Sequence, residues 1–260
     1  MPSAIDTLSI CATSLYLFFL IIEAFQLIKR KNTVLPGFFL LSAIILHLIA
    51  LILRTWHVGH APMANLYETL LFFSFCVAFA TLIYIIRYGI KEIAFISIAV
   101  AIGLFILAIL ADHKVTPLYI ALKTIWFEIH VMASFAGYAL FTISFASAFF
   151  FLLSSGKEFA IQKKYEEITN SANVWGFSLF SFAMFSGAIW AYLAWGNYWF
   201  WEPKTIWSFI LWFYFAGIVH GHYLKRWRGK PVAWMTIFGF IVVIFTYVGV
   251  GLLMKNSHAL

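Results

Sequence analysis

Charged residues are scarce in this chain of 260 residues. Only 10% of the residues are charged, whereas 64% are hydrophobic, and the mean hydropathy is +0.95. A soluble domain carries about 25% charged residues, so this chain has too few of them to cover a water-facing surface. The composition therefore excludes a soluble globular protein and predicts a surface that faces a lipid bilayer. The net charge of +7 comes from basic residues spread through short loops, a pattern that does not indicate a nucleic-acid partner.

Cysteine is also scarce. Cys11 and Cys76 both lie in apolar stretches and form no Cys-x-x-Cys pair. This excludes a disulfide framework and a thiolate metal site, and it predicts two buried free thiols. No cleavable signal is evident, because the first apolar run begins near residue 8 and is long enough to remain as a membrane span.

Long apolar runs dominate what is present. A helix needs about 20 apolar residues to cross the hydrocarbon core, and eight runs qualify: 8–28, 35–54, 66–86, 92–111, 125–153, 176–195, 203–224 and 231–253. We predict an all-α, polytopic membrane helix bundle of about eight transmembrane helices that forms one domain over residues 1–260. The fifth run is long, and we expect it to project beyond the membrane.

Lysine and arginine alternate between the two sides of these spans. Most of them lie in the loops at 29–31, 87–91, 157–164 and 225–230. Because cytoplasmic loops carry the excess of Lys and Arg, both termini are predicted on the non-cytoplasmic side. The loop between the sixth and seventh spans is predicted on that same outer side.

That outer loop, WGNYWFWEPKTIWS at 195–208, is rich in tryptophan. Six of the eleven tryptophans fall within 23 residues: Trp190, Trp195, Trp199, Trp201, Trp207 and Trp212. An aromatic belt at the membrane interface would explain any one of them, but a belt would be shared among all the outer loops. Gly196 permits a tight turn, and Glu202 before Pro203 is predicted to cap the seventh helix. We interpret the loop as a platform for a large, flat, apolar ligand.

The histidines divide by depth. His130 and His258 lie at a similar outer level, where two facing imidazoles could ligate haem iron; alternatively, His130 is a polar residue satisfied between helices and His258 a solvated tail residue. His220 lies toward the cytoplasmic end of its span, and His222 beside it is expected to snorkel to the interface. His47 lies at another depth, so another protein could supply the partner of His220.

The first outer loop, residues 54–70, offers further polar groups. His57 and His60 have a spacing that a metal could use, but no third ligand is defined, so lining of an outer pocket is the favoured interpretation. Arg54 could pair with a ligand carboxylate such as a haem propionate. Alternatively, Arg54 is an interfacial arginine that snorkels.

Several motifs together resemble a known family. WGNYWFWEPK resembles the tryptophan-rich WWD signature of haem-handling membrane proteins. Most of the chain is more closely similar to the CcsA (ResC) family, the cytochrome c synthase subunits of system II cytochrome c biogenesis. The stretches that carry this likeness, besides the tryptophan loop, are GHAPMANLYETL at 59–70, IHVMASFAGYALF at 129–141, WFYFAGIVH at 212–220 and GVGLLMKNSH at 249–258.

The resemblance implies roles for particular residues. His130 and His258 match the two external ligands of haem iron, and His220 matches an intramembrane iron ligand whose counterpart comes from a CcsB (ResB)-type subunit. The loop would hold haem b against the outer face through Trp195, Gly196, Tyr198, Trp199, Trp201 and Glu202. The other implied partners are an apocytochrome c with a CxxCH segment and thiol-reducing proteins. The implied location is a bacterial cytoplasmic membrane or a thylakoid membrane.

The chain departs from the family pattern at a few positions. Glu202 replaces the usual Asp, Thr205 the usual Glu, and the residues around His258 differ. No catalytic side chain is assigned. Three other functions stay open: a system I (CcmC-type) haem lyase, a haem exporter without synthase activity, and a cytochrome b-type electron carrier. The electron carrier would need paired histidines at matched depths within spans, and the depths of His47 and His220 do not supply them.

Overall fold

The chain is described by a computed structural model over residues 2–29, 35–89, 91–112, 118–154 and 159–250. Within those ranges there are eight α-helices and no strand. The helices are α1 (Pro2–Lys29), α2 (Leu35–Val58), α3 (Leu66–Tyr88), α4 (Glu92–Leu110), α5 (Ile125–Leu153), α6 (Phe159–Trp195), α7 (Pro203–Tyr223) and α8 (Lys230–Ile244). A short 3₁₀ helix (Ile120–Leu122) precedes α5, and a π-helical turn (Phe245–Gly249) extends α8.

The all-helical bundle is confirmed. Among the described residues, seven helices are long and apolar enough to cross a membrane, and α8 counts among them together with its π-turn. The exception is α7, which has 21 residues and is therefore long enough, but whose Trp, Tyr and His residues lower its hydropathy. The chain divides into two compact units, Met1–Leu118 and Tyr119–Leu260.

The first unit contains α1 to α4 around an aliphatic and aromatic core. Its centre includes Tyr16, Phe19, Leu40 and Ile98. His47 is fully buried in this unit, with the Tyr16 hydroxyl 3.3 Å from its Nδ1 and with the rings of Phe75 and Phe105 edge-on to its own. These contacts give His47 a packing role.

The two cysteines of this unit are free thiols, as predicted. The prediction that both are buried is wrong: Cys11 is exposed on α1, and Cys76 on α3 is only half-buried. A thiol on an apolar helix surface needs no burial when the surrounding medium is lipid.

The second unit is built on the antiparallel pair α5 and α6. The two backbones approach closely where Gly137 meets Gly176, since a Cβ added at Gly137 would lie 3.2 Å from the Gly176 carbonyl oxygen. Small residues allow this approach between membrane helices. Phe141 on α5 stacks on Phe215 of α7 with ring centroids 3.5 Å apart, which brings α7 onto the same core.

Helix α6 begins much earlier than predicted. Its 37 residues start at Phe159, not at 176, and correspond to about 55 Å, so α6 rather than α5 is the longest helix. Its first turns are amphipathic: Tyr165, Ile168 and Ala172 are buried at helical spacing, while Lys163 and Glu167 are exposed. Hydropathy alone missed this segment because its charges lower the average.

A buried polar cluster links α6, α7 and α8. The Asn173 amide nitrogen lies 3.3 Å from His222 Nε2 and donates to Thr236 Oγ1 at 3.0 Å. The expectation that His222 snorkels is therefore wrong, because its side chain is buried and bonded inside the unit.

Candidate functional site

His130 lies in the second turn of α5 and faces α6. Its Nδ1 lies 2.7 Å from the carbonyl oxygen of Ala183. A carbonyl oxygen can only accept, so Nδ1 carries the hydrogen, and in the neutral imidazole the lone pair is on Nε2. Histidines that ligate metals almost always donate their other ring N–H in this way, which fixes the tautomer and raises the basicity of the ligating nitrogen.

Three positions on one face of α6 form the surface that holds this ring. Ala183 provides the acceptor, and Trp190 stacks against the imidazole with centroids 5.9 Å apart and planes 21° apart. Between them, Gly187 has no side chain, and a Cβ there would lie 2.5 Å from His130 Nδ1. Residues 183, 187 and 190 share a face because residues three and four apart on a helix are neighbours. We call Ala183, Gly187 and Trp190 the imidazole niche.

The Trp190 ring is itself held firmly. Its Nε1 donates to the Ala121 carbonyl oxygen at 2.7 Å, and Phe127 packs against it at 5.1 Å. Trp190 also contacts Trp195 edge-on at 5.0 Å, and Trp195 contacts Phe200 at 5.8 Å. The rings therefore form a continuous series of contacts from His130 to the tryptophan loop.

The turn at the start of this loop is made by Gly196. It has a φ of +77°, which L side chains rarely adopt, and its N–H donates to the Tyr192 carbonyl oxygen at 2.8 Å, so it ends α6 in the usual manner of a C-terminal glycine. Tyr198 folds back to stack on Tyr192 with centroids 4.4 Å apart. The predicted tight turn is confirmed.

Trp199 and Trp201 lie in the second half of the segment between α6 and α7. They contact each other edge-on at 5.7 Å, and Trp199 also packs on Phe209 of α7. Trp201 is 78% exposed, a large apolar surface for a side chain at the tip of a loop. The Trp199 indole Nε1 is buried and has no acceptor among the described residues, although buried donors of this kind are normally hydrogen-bonded.

Glu202 is the N-cap residue of α7, and Pro203 occupies the first turn, as predicted. The expected capping bond is absent, because the Glu202 carboxylate accepts no backbone N–H of that turn. Glu is not among the short side chains that cap well; Asp, Asn, Ser and Thr reach the N–H groups at this position. The additional methylene relative to Asp accounts for the difference.

His220 lies in the last turn of α7, about 25 Å along the helix from Pro203. Its side chain is exposed, and its Nδ1 lies 2.7 Å from the Ala216 carbonyl oxygen. That bond again places the hydrogen on Nδ1 and the lone pair on Nε2. The structure does not bring His220 to the tryptophan loop.

Arg54, in the first unit, is buried and bound to Glu68. Its Nε donates to Glu68 Oε1 at 3.0 Å, and its guanidinium lies over the Tyr67 ring at 5.2 Å. Glu68 Oε2 also accepts the Ala64 N–H at 3.0 Å, and Asn65 caps α3. The snorkelling alternative is therefore wrong for Arg54. Its buried guanidinium binds Glu68, which in turn holds the loop between α2 and α3. Pairing with a ligand carboxylate stays a prediction, and it would compete with Glu68.

The two loop histidines do not converge on a site. His57 is exposed at the end of α2, and His60 Nδ1 lies 2.8 Å from the Ala61 carbonyl oxygen. Over the described ranges, no group of three or more His, Cys, Asp or Glu side chains could hold a metal ion.

The structure brings together some of the predicted site residues. His130 is connected to the tryptophan loop through Trp190, whereas His258 lies outside the described residues. Ala183 and Gly187 were not predicted as site residues, because neither has a side chain that suggests ligand chemistry. One signal could have found them: a small residue every four positions, at 183 and 187, on the helix opposite a histidine.

Known proteins are similar in sequence to this chain. The family model described as "Cytochrome C assembly protein" matches residues 63–258. A "Cytochrome c biogenesis protein CcsA" of Mesostigma viride is 30% identical, over 95% of this chain and 93% of its own length. Proteins of the same name from Guillardia theta (31% identical, 77% of each chain) and Prochlorococcus marinus (28%, over 89% and 85%) are similar as well.

The chain belongs to the CcsA family. It is thus an integral membrane protein of cytochrome c biogenesis, and its place is a bacterial or thylakoid membrane. The family match begins at Met63, in the loop between α2 and α3, and covers the imidazole niche and the tryptophan loop.

Proposed function

We propose that this protein presents haem at the outer membrane face, where the haem becomes covalently attached to apocytochrome c. The observation that supports this most is the state of His130. A main-chain acceptor holds its Nδ1–H, and the ring stacks on Trp190, which contacts Trp195 of the tryptophan loop. Cytochrome c assembly requires haem as a substrate, and an imidazole in this tautomer is a suitable axial ligand.

His130 and His258 are the proposed axial ligands of the external haem iron. Trp195, Trp199 and Trp201 supply apolar surface for the flat edge of the macrocycle, together with Gly196 and Tyr198. Haem also carries two carboxylates. The buried Trp199 N–H, which has no acceptor among the described residues, fits such a group.

His220 is the proposed ligand at the intramembrane stage. Phe213, Gly217 and His220 are exposed along one side of α7, at positions i, i+4 and i+7, and a Cβ added at Gly217 would meet no atom within 4 Å. An exposed imidazole in a membrane helix is costly in lipid. A helix of a CcsB (ResB)-type subunit that packs on this face would cover the imidazole and add the second iron ligand.

The attachment reaction needs little chemistry from the protein. Each thiol of the CxxCH segment adds across one haem vinyl group, so that sulfur bonds to one vinyl carbon and hydrogen to the other, with no net redox change. The histidine of the segment then replaces one axial ligand. The residues of this chain hold and orient the haem, which is how a protein assists when the reactive groups belong to cofactor and substrate.

The test is co-expression with an apocytochrome, with and without a CcsB-type subunit. We expect covalent haem on a CxxCH apocytochrome, none on its SxxSH variant, and product only when both subunits are present. His130→Gly should lose external haem and product, with partial rescue by added imidazole. Haem binding without product in every pairing would instead favour an exporter, and unchanged haem in His130→Gly would disprove the ligand assignment.

A further inference from the structure

We propose that Gly187 is a positioning residue for haem capture, because the absence of its side chain allows the Ala183 carbonyl to fix the His130 imidazole. This inference rests on the proposed function, since it assigns a purpose to the niche that holds the haem ligand. Gly187 touches neither haem nor apocytochrome in this proposal. It acts through the His130 imidazole, for which its missing side chain leaves room.

The geometry of a helix explains why a glycine is needed at this position. Every Cα–Cβ bond tilts toward the N-terminus of its helix, so the side chain of residue i+4 lies over the carbonyl of residue i. The Ala183 oxygen already serves the helix ladder of α6, but a carbonyl has two lone pairs and can accept a second hydrogen. With no side chain at 187, that oxygen is open from the side, and His130 of α5 reaches it at 2.7 Å.

The space that Gly187 leaves is filled by the imidazole. A Cβ built at this glycine would lie 2.5 Å from His130 Nδ1, 2.8 Å from Cε1 and 3.3 Å from Cγ. The first two distances are too short for real atoms, so an alanine at 187 would force the ring to move. Any such movement breaks or lengthens the bond from Nδ1 to the Ala183 oxygen.

The ring has little freedom to absorb that displacement. Trp190 stacks on it and is fixed by a 2.7 Å hydrogen bond to the Ala121 oxygen and by contacts with Phe127 and Trp195. The Ala183 oxygen cannot follow the ring, because it is part of the α6 main chain and accepts within the helix ladder. An added methyl group therefore changes the orientation and the tautomer preference of the imidazole together.

The test compares Gly187→Ala with Gly103→Ala in the full chain, purified with its CcsB-type subunit. The control is an exposed helical glycine at which an added Cβ meets nothing within 4 Å. We expect Gly187→Ala to weaken external haem binding by roughly 10- to 100-fold, the usual effect of losing a partner that orients a metal ligand. Its remaining haem should have a shifted reduction potential, while Gly103→Ala keeps the wild-type haem spectrum and potential.

A double variant shows whether the effect passes through His130. In a His130→Gly background, Gly187→Ala should cause no further loss of haem, because two changes in one contact are not additive. A further loss there, or wild-type haem binding and potential in Gly187→Ala alone, would overturn the inference. Neither result would contradict the proposed function, provided that His130→Gly alone still loses haem.

Protein yield separates a positioning effect from a folding defect. If Gly187→Ala does not accumulate in the membrane, the His130→Gly/Gly187→Ala double variant decides the matter, because removal of the ring gives the new methyl group room. Recovery of normal protein levels in the double variant supports the contact between residues 187 and 130. If the double variant also fails to accumulate, the alanine disturbs α6 itself, and the inference is wrong.

Discussion

At the scale of single residues, the buried pair of Arg54 and Glu68 has the clearest energetic consequence. Their side chains are 7% and 1% exposed, and the Arg54 Nη2 lies 2.9 Å from Glu68 Oε1. Glu68→Gln removes the negative charge beside a buried guanidinium, and breaking such a pair costs about 3–5 kcal/mol. We expect a clearly lower midpoint of thermal unfolding for the purified protein.

The chain offers a matched control for this prediction. Arg228 and Glu166 form a pair of similar length, 2.9 Å, but the Arg228 side chain is 62% exposed. Arg228→Gln should therefore change the stability by less than about 1 kcal/mol. Equal effects of the two substitutions on the thermal midpoint would show that burial of Arg54 contributes nothing.

Single residues also show what sequence reasoning can and cannot reach. His130 could be selected from the sequence as a candidate site residue, because an ionisable residue within an apolar span is rare and costly. The acceptor of its hydrogen bond could not be predicted, because Ala183 is 53 positions away and contributes only a main-chain oxygen, which every residue has. The pairing of Arg54 with Glu68 was missed for a related reason: the sequence does not show which of several nearby polar groups turn inward.

At the scale of helices, the crossing of α5 and α6 depends on glycine. A Cβ at Gly176 would lie 2.7 Å from the Phe141 ring, and that ring is itself stacked on Phe215. Gly176→Ala should therefore overpack the crossing and cost about 1–3 kcal/mol. Gly103→Ala in α4, where an added Cβ meets nothing within 4 Å, should be neutral or slightly stabilising.

The measurement for these helix variants is residual folded protein after heating, read by size-exclusion chromatography in detergent. A Gly176→Ala protein as heat-resistant as Gly103→Ala would contradict the close crossing. The helices themselves were predictable wherever apolar runs define them: α5, for example, spans Ile125–Leu153 as expected. The start of α6 was not, since amphipathic turns outside the hydrocarbon core are stabilised by packing that a hydropathy average does not detect.

At the scale of the whole molecule, the distribution of basic residues predicts an orientation. The tryptophan loop should face outward and the first turns of α6 should face the cytoplasm. In a background without Cys11 and Cys76, Asn197→Cys should react with a membrane-impermeant thiol reagent in intact cells. Lys163→Cys should react only after the cells are opened. Both positions are exposed, so access alone decides the result; the reverse pattern would invert the orientation.

The acceptor that fixes His130 belongs to the main chain, and this has a consequence for genetics. A mutational scan that replaces each side chain in turn removes no carbonyl oxygen, so Ala183 would score as an ordinary helix position. From the acceptor side, the bond can be lost by mutation only indirectly, through substitutions that push the ring away or unwind the helix. Mutations that abolish haem ligation while sparing every histidine should therefore cluster at the small residues of α6.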